Sequence, residues 1–333
     1  MRKLTSLIVI LFGLYAGYWF IASSAVERGL TAWLQARQTD GWLVEYSDLN
    51  TRGFPNRLDT RISNLELVDT ASGLAWSAPF FEVLALSYKP NHVIAVWPNE
   101  QTISTPFEKI AVTNEKMDAS AVFEAGTALT LDRADLELQA FRMRSSEGWT
   151  SGVGSGQFST RHIDPATNSH KIWFEAKDVY PSATVLSFLD PANYLPDTFE
   201  TMNFDVTVSF DAPWDRFAIE RKRPQVTKID LSGLRAKWGD LDFRAAGTLS
   251  VDANGVPEGE ITIKAKNWRE MLQIAINTGT VPQNAEAIVT RSLETLAQMS
   301  GSPKTLDAPL TFKNGQIYLT LLPLGPAPRI VIR

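Results

Sequence analysis

The stretch LDFRAAGTLSV, from Leu241 to Val251, keeps one parity of apolar and polar positions over its whole length. One side carries Leu241, Phe243, Ala245, Gly247, Leu249 and Val251. A period of two is typical of a β-strand with one buried face. After the turn residues 252–255, the pattern returns in Ile261, Ile263 and Ala265. We therefore predict an antiparallel hairpin here and a fold that is mainly β.

The same alternation recurs through most of the chain, which favours curved antiparallel sheets in a sandwich-like or groove-like arrangement. The apolar positions change parity at Asn64 and again between Ala140 and Phe141. A one-residue change of parity turns every following side chain to the other face. We predict a bulge or a bend at both places.

A second hairpin is predicted at Asn314-Gly315, because this pair favours a type I′ turn. A two-residue loop pairs Phe312 with Ile317 and Leu310 with Leu319, so that all four apolar side chains share one face. The proline-rich residues 322–328 that follow fit an extended edge segment better than a helix or a central strand.

Two short helices are predicted near the C-terminus. Asn267 is the expected N-cap of the first. Residues 284–299 form the second, with apolar residues on one stripe, and Gly301-Ser302-Pro303 ends it. The stripe consists of Ala285, Ile288, Val289, Leu293, Leu296 and Ala297.

The N-terminal segment LTSLIVILFGLYAGYWFIA, from Leu4 to Ala22, carries no charge and follows Arg2 and Lys3. As a helix it is about 28 Å long, close to the hydrocarbon thickness of a bilayer. Arg2 and Lys3 place the N-terminus in the cytoplasm by the positive-inside rule. The sequence predicts one span in a bacterial inner membrane, with the rest of the chain in the periplasm.

A cleaved signal peptide is the alternative, with Ser23-Ser24-Ala25 as its cleavage site. An uncleaved anchor is favoured because the apolar segment is long and Tyr18, Trp19 and Phe20 suit a membrane interface. The helical pattern also continues to about Gln38. We predict an anchor over residues 1–25 with residues 1–3 cytoplasmic, a helical extension over 26–40 and a β-rich periplasmic domain over 41–333. That domain could divide into two lobes, at about 41–200 and 201–333.

Composition excludes several classes of function. The chain contains no cysteine, which removes thiol catalysis, cysteine zinc sites and iron–sulfur clusters. The net charge is −5, and setting aside the positive charges of Arg2 and Lys3 leaves −7. An acidic exported domain argues against nucleic acid or anionic lipid surfaces as the main electrostatic partner. The cluster Arg221-Lys222-Arg223 is interpreted as a solvated loop.

No candidate site in the sequence has the spacing that a known chemistry requires. His162 and His170 lie in a stretch that resembles a loop and match no common metal-ligand pattern, and His92 stands apart. Residues 152–156, GVGSG, precede an alternating segment and not a helix, so they are interpreted as a strand bend rather than a phosphate loop. Asp252, Asn254 and Gly255 are interpreted as a hairpin turn and not a calcium loop. We expect no catalytic, cofactor-binding or metal-binding residues.

Five blocks of the sequence carry a family resemblance. The blocks GFPNRL (53–58), LAWSAP (74–79) and YKPNHVIA (88–95) resemble the domain-of-unknown-function 2125 (DUF2125) family of alphaproteobacterial envelope proteins. The blocks PLTFKNG (309–315) and LLPLGPAP (321–328) are similar to that family too. The resemblance implies a single-span envelope protein without an assigned activity, and it supplies no catalytic residues. The Gly-Phe-Pro block also resembles AsmA-like β-rich envelope proteins.

These features favour a non-enzymatic protein of the inner membrane that binds a lipid-like molecule or a protein partner in envelope maintenance. Two other classes stay open. One is a structural scaffold or assembly factor, and the other is a hydrolase that uses carboxylates alone. Two carboxylates facing each other across a cleft would support the hydrolase.

Overall fold

A computed structural model describes residues 2–279, 281, 286–299, 302–320 and 322–332. The chain forms two compact units. The first consists of Met1–Ala125 with Leu136–Gly148, and the second of Gly126–Asp135 with Trp149–Arg333. The units divide between residues 125 and 149, whereas the sequence suggested lobes that meet near residue 200.

The first unit begins with one long helix, α1 (Arg2–Thr39). It confirms the prediction of a continuous helix from Leu4 to about Gln38, with no proline to interrupt it. Among the described residues, α1 is the one helix that is long and apolar enough to cross a membrane.

The strands of the first unit pair antiparallel, with β3 between β1, β2 and β4. Leu34 of α1 packs with Val44, Ile62 and Leu65 in a buried cluster, so the end of the helix is fixed on the first three strands. The strands are β1 (Trp42–Glu45), β2 (Asp48–Arg52), β3 (Arg57–Asp69), β4 (Leu74–Leu86), β5 (Lys89–Val96), β6 (Glu100–Ser104), β7 (Lys109–Thr113), β8 (Lys116–Phe123) and residues 136–145 of β9 (Leu131–Ser145).

Both predicted changes of parity coincide with a left-handed backbone conformation. Asn64 in β3 has φ +50° and Ala140 in β9 has φ +49°. In β3, the buried positions pass from Leu58, Thr60 and Ile62 to Leu65. A residue in this conformation shifts the alternation by one position, so the strand keeps its apolar side chains buried on both sides of the bend.

The second unit is an antiparallel meander, because each strand from β10 to β18 pairs with the next one in sequence. Its strands are β10 (Thr150–Asp164), β11 (Ser169–Tyr180), β12 (Phe199–Phe210), β13 (Val226–Trp238), β14 (Leu241–Val251), β15 (Pro257–Lys266), β16 (Thr305–Lys313), β17 (Gln316–Leu319) and β18 (Leu322–Pro326). The predicted mainly β class is confirmed, as is the extended tail in β18.

In the part of the second unit that the structure describes, four helices interrupt the meander: α2 (Ala183–Leu189), α3 (Arg216–Glu220), α4 (Trp268–Asn277) and α5 (Glu286–Met299). The predicted pair near the C-terminus is confirmed by α4 and α5, which lie between β15 and β16. Trp268, at the start of α4, is 2% exposed and belongs to a core with Val289, Leu293 and Leu306.

The two hairpins have the predicted register. In β14 and β15, Phe243 pairs with Ala265 and Ala245 with Ile263. Gly247 lies on the same face as these apolar residues, but it has no side chain to occupy that face. A Cβ atom there would collide with the backbone of Glu260 and Ile261, so glycine allows the two strands to approach.

The second hairpin turns at Asn314-Gly315, which has φ values of +52° and +71°. Its strands β16 and β17 pair Phe312 with Ile317 and Leu310 with Leu319. Both φ values are positive, as a type I′ turn requires, so the turn residues and the register agree.

The helix boundaries required corrections. Asn267 stands at the N-cap position of α4, but it has a left-handed backbone and its side chain makes no capping hydrogen bond. Its amide instead donates to the carbonyl oxygen of Asp240 at 2.9 Å. The predicted N-cap position is therefore confirmed, but the capping hydrogen bond expected of its side chain is absent. The start of the second predicted helix at 284–285, and Gly301, lie outside the described residues. The short helices α2 and α3 were not predicted.

Candidate functional site

The first part of α1 presents apolar side chains on all of its sides. A buried soluble helix would cover one face of this surface, whereas a bilayer covers all of it. Eight large apolar residues here are each more than half exposed: Leu4, Leu7, Ile8, Val9, Ile10, Leu11, Phe12 and Leu14.

Further along, α1 is attached to the first unit through aromatic side chains. The Trp19 indole is 5% exposed and donates to the carbonyl oxygen of Arg57 at 2.7 Å. The Tyr18 hydroxyl donates to the carbonyl oxygen of Ser87 at 2.7 Å. About two turns later, Glu27 accepts a hydrogen bond from the backbone N–H of Thr51. The helix is therefore a fixed part of the first unit from about Tyr18 onward.

A cleft of about 480 Å³ opens in the second unit between α4 and the loop that follows α2. Pockets of 300–1,000 Å³ are typical of small-molecule sites. The apolar part of its wall consists of Leu189, Pro191, Ala192, Leu195 and Ile274. Tyr194 also lines the cleft and is 87% exposed.

Two local features position the walls of this cleft. Ser182 caps α2 by accepting a hydrogen bond from the backbone N–H of Val185. The Asp190 carboxylate accepts a hydrogen bond from the backbone N–H of Leu195 at 2.7 Å, which closes the loop. The loop therefore keeps its shape through its own hydrogen bonds.

Cationic and anionic groups lie beside the apolar wall. The Arg269 guanidinium donates to the Glu294 carboxylate at 2.9 Å and to the Pro303 carbonyl oxygen at 3.0 Å. It also lies 4.5 Å from the centre of the Trp268 ring. An adjoining cleft of about 340 Å³ shares Tyr194, Leu195, Arg269 and Glu270 and adds Lys304. An apolar wall beside charged groups suits an amphipathic ligand.

A third cleft, of about 470 Å³, lies in the first unit among β3, β4, β6 and β7. Glu66 and Glu100 both line it, and both are exposed. Carboxylate-based hydrolysis places one carboxyl group in a buried, apolar environment so that it stays protonated. The exposure of both groups gives the hydrolase hypothesis no support here.

The histidines are arranged differently from the prediction. His162 and His170 lie in β10 and β11 and face each other, whereas the sequence placed them in a loop. Only residues 165–168 form the turn. The two rings stack with their centres 5.0 Å apart. His92 lies in β5, with its Nε2 atom 3.3 Å from the Ser120 hydroxyl.

His170 is buried, with 2% of its surface exposed, and its Nδ1 atom lies 3.2 Å from the Thr160 hydroxyl. The pKa of His170 is lowered to about 4, mainly by burial and also by the nearby His162, while Asp132 opposes the shift. Over the described ranges from residue 2 to residue 332, no group of three His, Cys, Asp or Glu side chains is placed to hold a metal ion.

The other motifs have the structures that were predicted. Residues 152–156 lie inside β10 and precede no helix. The Asp252 carboxylate accepts hydrogen bonds from the backbone N–H groups of Asn254 and Val256, both at 2.8 Å, as part of the hairpin turn. The bond from Val256 is the main cause that lowers the Asp252 pKa. Arg221-Lys222-Arg223 is an exposed loop after α3.

Sequence reasoning missed the cleft between α4 and the loop after α2. Its two walls are about 75 residues apart in sequence, so no local pattern joins them. Two signals were present. The segment DPANYLP (190–196) has the composition of an ordered turn. In Trp268-Arg269, an aromatic residue is followed directly by a cationic one, which allows a cation–π contact.

The fold and the exposed helix define a class of protein, a β-rich body that carries one N-terminal helix able to cross a membrane. Residues 19–328 match the model of a family described as an uncharacterized protein conserved in bacteria, DUF2125. The chain belongs to this family, as the sequence resemblance indicated. No curated protein and no solved structure matches the chain.

Proposed function

We propose that this protein is anchored in the bacterial inner membrane by α1, with its N-terminus in the cytoplasm and its β-rich units in the periplasm. The observation that carries the proposal is the exposed apolar surface on every side of residues 4–14. Arg2 and Lys3 at its start support the orientation.

The proposal includes a non-enzymatic role, in which the cleft beside α4 binds a lipid-like molecule for envelope maintenance. Its volume, its apolar wall and the cations Arg269 and Lys304 support this role. An acyl chain would lie against Leu195 and Ile274, and an anionic head would face the cations. A protein partner is the second form of this proposal.

Replacing Ile274 with glutamate is expected to reduce the bound ligand by about tenfold or more, because a carboxylate beside an acyl chain loses its hydration. Native mass spectrometry of the detergent-extracted full chain measures the retained molecule. Ala192→Trp, which fills the cleft from the loop, is expected to act in the same way.

Ile288→Glu is the matched control, because Ile288 lies on the outward side of α5 and is 61% exposed. We expect this variant to retain the ligand as the wild type does. A wild-type protein without any lipid-sized adduct, or an adduct equally retained in all variants, would contradict binding in this cleft. An adduct of protein size would indicate the partner instead.

A further inference from the structure

Two turns of the first unit contact α1 at a depth that the bilayer would occupy. The turns are residues 53–57, between β2 and β3, and residues 86–88, between β4 and β5; together they are the turn pair. The Phe54 ring lies 6.1 Å from the ring of Phe12 and 5.5 Å from that of Trp19. The Ser87 hydroxyl lies 2.7 Å from that of Tyr15.

The depth of these contacts in the bilayer follows from the positions of the contacting residues along the helix. At 1.5 Å per residue, Phe12 lies about 12 Å beyond Leu4, Tyr15 about 17 Å and Trp19 about 23 Å. The hydrocarbon region of a bilayer is about 30 Å thick. If it begins at Leu4, then all three residues, and the turns that contact them, lie within it.

The outer surface of the turn pair carries three exposed apolar side chains, with the exposed Asn56 beside them. Phe54, Leu86 and Tyr88 are 42%, 36% and 66% exposed. Arg57, the last residue of the first turn, and Lys89, the residue after the second, are exposed too, and Arg57 pairs with Asp59 at 2.8 Å. Long cationic side chains at this level can extend toward phosphate groups while their aliphatic parts stay in the apolar region.

Several backbone polar groups of the turn pair are satisfied within the protein. Five backbone carbonyl groups accept hydrogen bonds there, as a low-dielectric environment requires. Gly53 accepts from the Arg57 N–H, Pro55 from the Ser87 hydroxyl, Asn56 from the Ser87 N–H, Arg57 from the Trp19 indole and Ser87 from the Tyr18 hydroxyl. Ser87 itself is fully buried.

We propose that the turn pair is a second membrane-contacting element, inserted into the acyl chains of the leaflet on the same side as the β-rich units. It rests on the proposed anchoring by α1. Lipid covers the apolar surface of the turn pair, because this surface continues that of the spanning helix at the same depth. The insertion holds the first unit against the membrane at two points besides the helix.

The chain has no cysteine, so single cysteines can carry a nitroxide label without further changes. A label at Ile8→Cys reports the environment of the spanning helix, and a label at Tyr88→Cys reports the environment of the turn pair. Phe107→Cys is the control, because it also replaces an exposed aromatic residue. Phe107 is 88% exposed in the turn between β6 and β7, and β6 pairs with the end of β4 that is distant from Leu86.

The full-length variants are reconstituted into vesicles of phosphatidylcholine and phosphatidylglycerol. Collision rates of each label with oxygen and with a water-soluble nickel chelate are then compared. Oxygen is expected to dominate at positions 8 and 88, and the nickel chelate at position 107. Leu86→Cys repeats the test on the second exposed residue of the same turn.

A label at 88 that behaves as the one at 107, while position 8 remains in lipid, would overturn the insertion and leave the anchor intact. A water-exposed position 8 would overturn both. A label at 88 shielded from both reagents would indicate contact with a second copy of the protein and would also overturn the proposal.

Discussion

Replacing Trp268 with alanine is expected to lower the free energy of unfolding of the second unit by about 3–5 kcal/mol. Trp268 is among the largest fully buried side chains and packs with Val289, Leu293 and Leu306. Its indole also donates to the Pro303 carbonyl oxygen at 3.2 Å. The change leaves a cavity and removes one of the two hydrogen bonds that this carbonyl oxygen accepts, since the Arg269 guanidinium still donates to it, and both effects reduce stability.

Amide hydrogen exchange in β15 and β16 measures this loss directly, because a protein of two units need not unfold in one step. Trp33→Ala is the control, since Trp33 is 51% exposed and should change stability by about 0.5 kcal/mol or less. Equal exchange in the wild type and in Trp268→Ala would show that this core does not support the unit. Because Trp268 also lines the adjoining cleft, we expect ligand retention to fall together with stability.

The stability of the second unit is expected to fall as the pH decreases from about 6.5 to about 4, by up to about 3 kcal/mol from His170 alone. Burial lowers the pKa of His170 from 6.5 to about 4 in the folded state. Between these values the unfolded chain binds a proton that the folded protein does not. The contribution is therefore fully present above pH 6.5 and is lost as the pH falls through the folded pKa.

The test compares unfolding of the wild type and of His170→Asn across this pH range. We expect the difference between the two to shrink steadily from pH 6.5 to 4, because asparagine has no proton to gain. His92→Gln, in the first unit, should keep the wild-type pH dependence of the second unit. An identical pH slope in His170→Asn and in the wild type would rule out this role of His170.

Alternation of residue types was enough to predict much of the fold. The shifts of parity predicted at Asn64 and between Ala140 and Phe141 coincide with two left-handed residues inside long strands. The hairpin at Asn314-Gly315 was predicted in register because its turn residues and its apolar pattern agree. These features depend on residues that are close in sequence, so the sequence alone contains the information.

Most of the features that were missed depend on contacts between segments that are distant in sequence, and the two paired histidines are the exception. His162 and His170 lie on strands, yet the polar residues around the short turn made the whole stretch resemble a loop. The Asn267 side chain bonds Asp240, across a hairpin, in preference to the helix that it precedes. The cleft beside α4 forms from segments whose approach is set by the order of the meander.

We propose above all that α1 anchors the β-rich units at the periplasmic face of the inner membrane. Single cysteines at positions 3, 107 and 194, treated with a membrane-impermeant maleimide in spheroplasts, test it most directly. Phe107 and Tyr194 are each more than 80% exposed, one in each unit. We predict that the maleimide labels positions 107 and 194 in intact spheroplasts, whereas it labels position 3 only after lysis. We also predict that the labelled chain stays in the membrane fraction. The reverse labelling, or a soluble protein that has lost position 3 by cleavage after Ala25, would contradict the account.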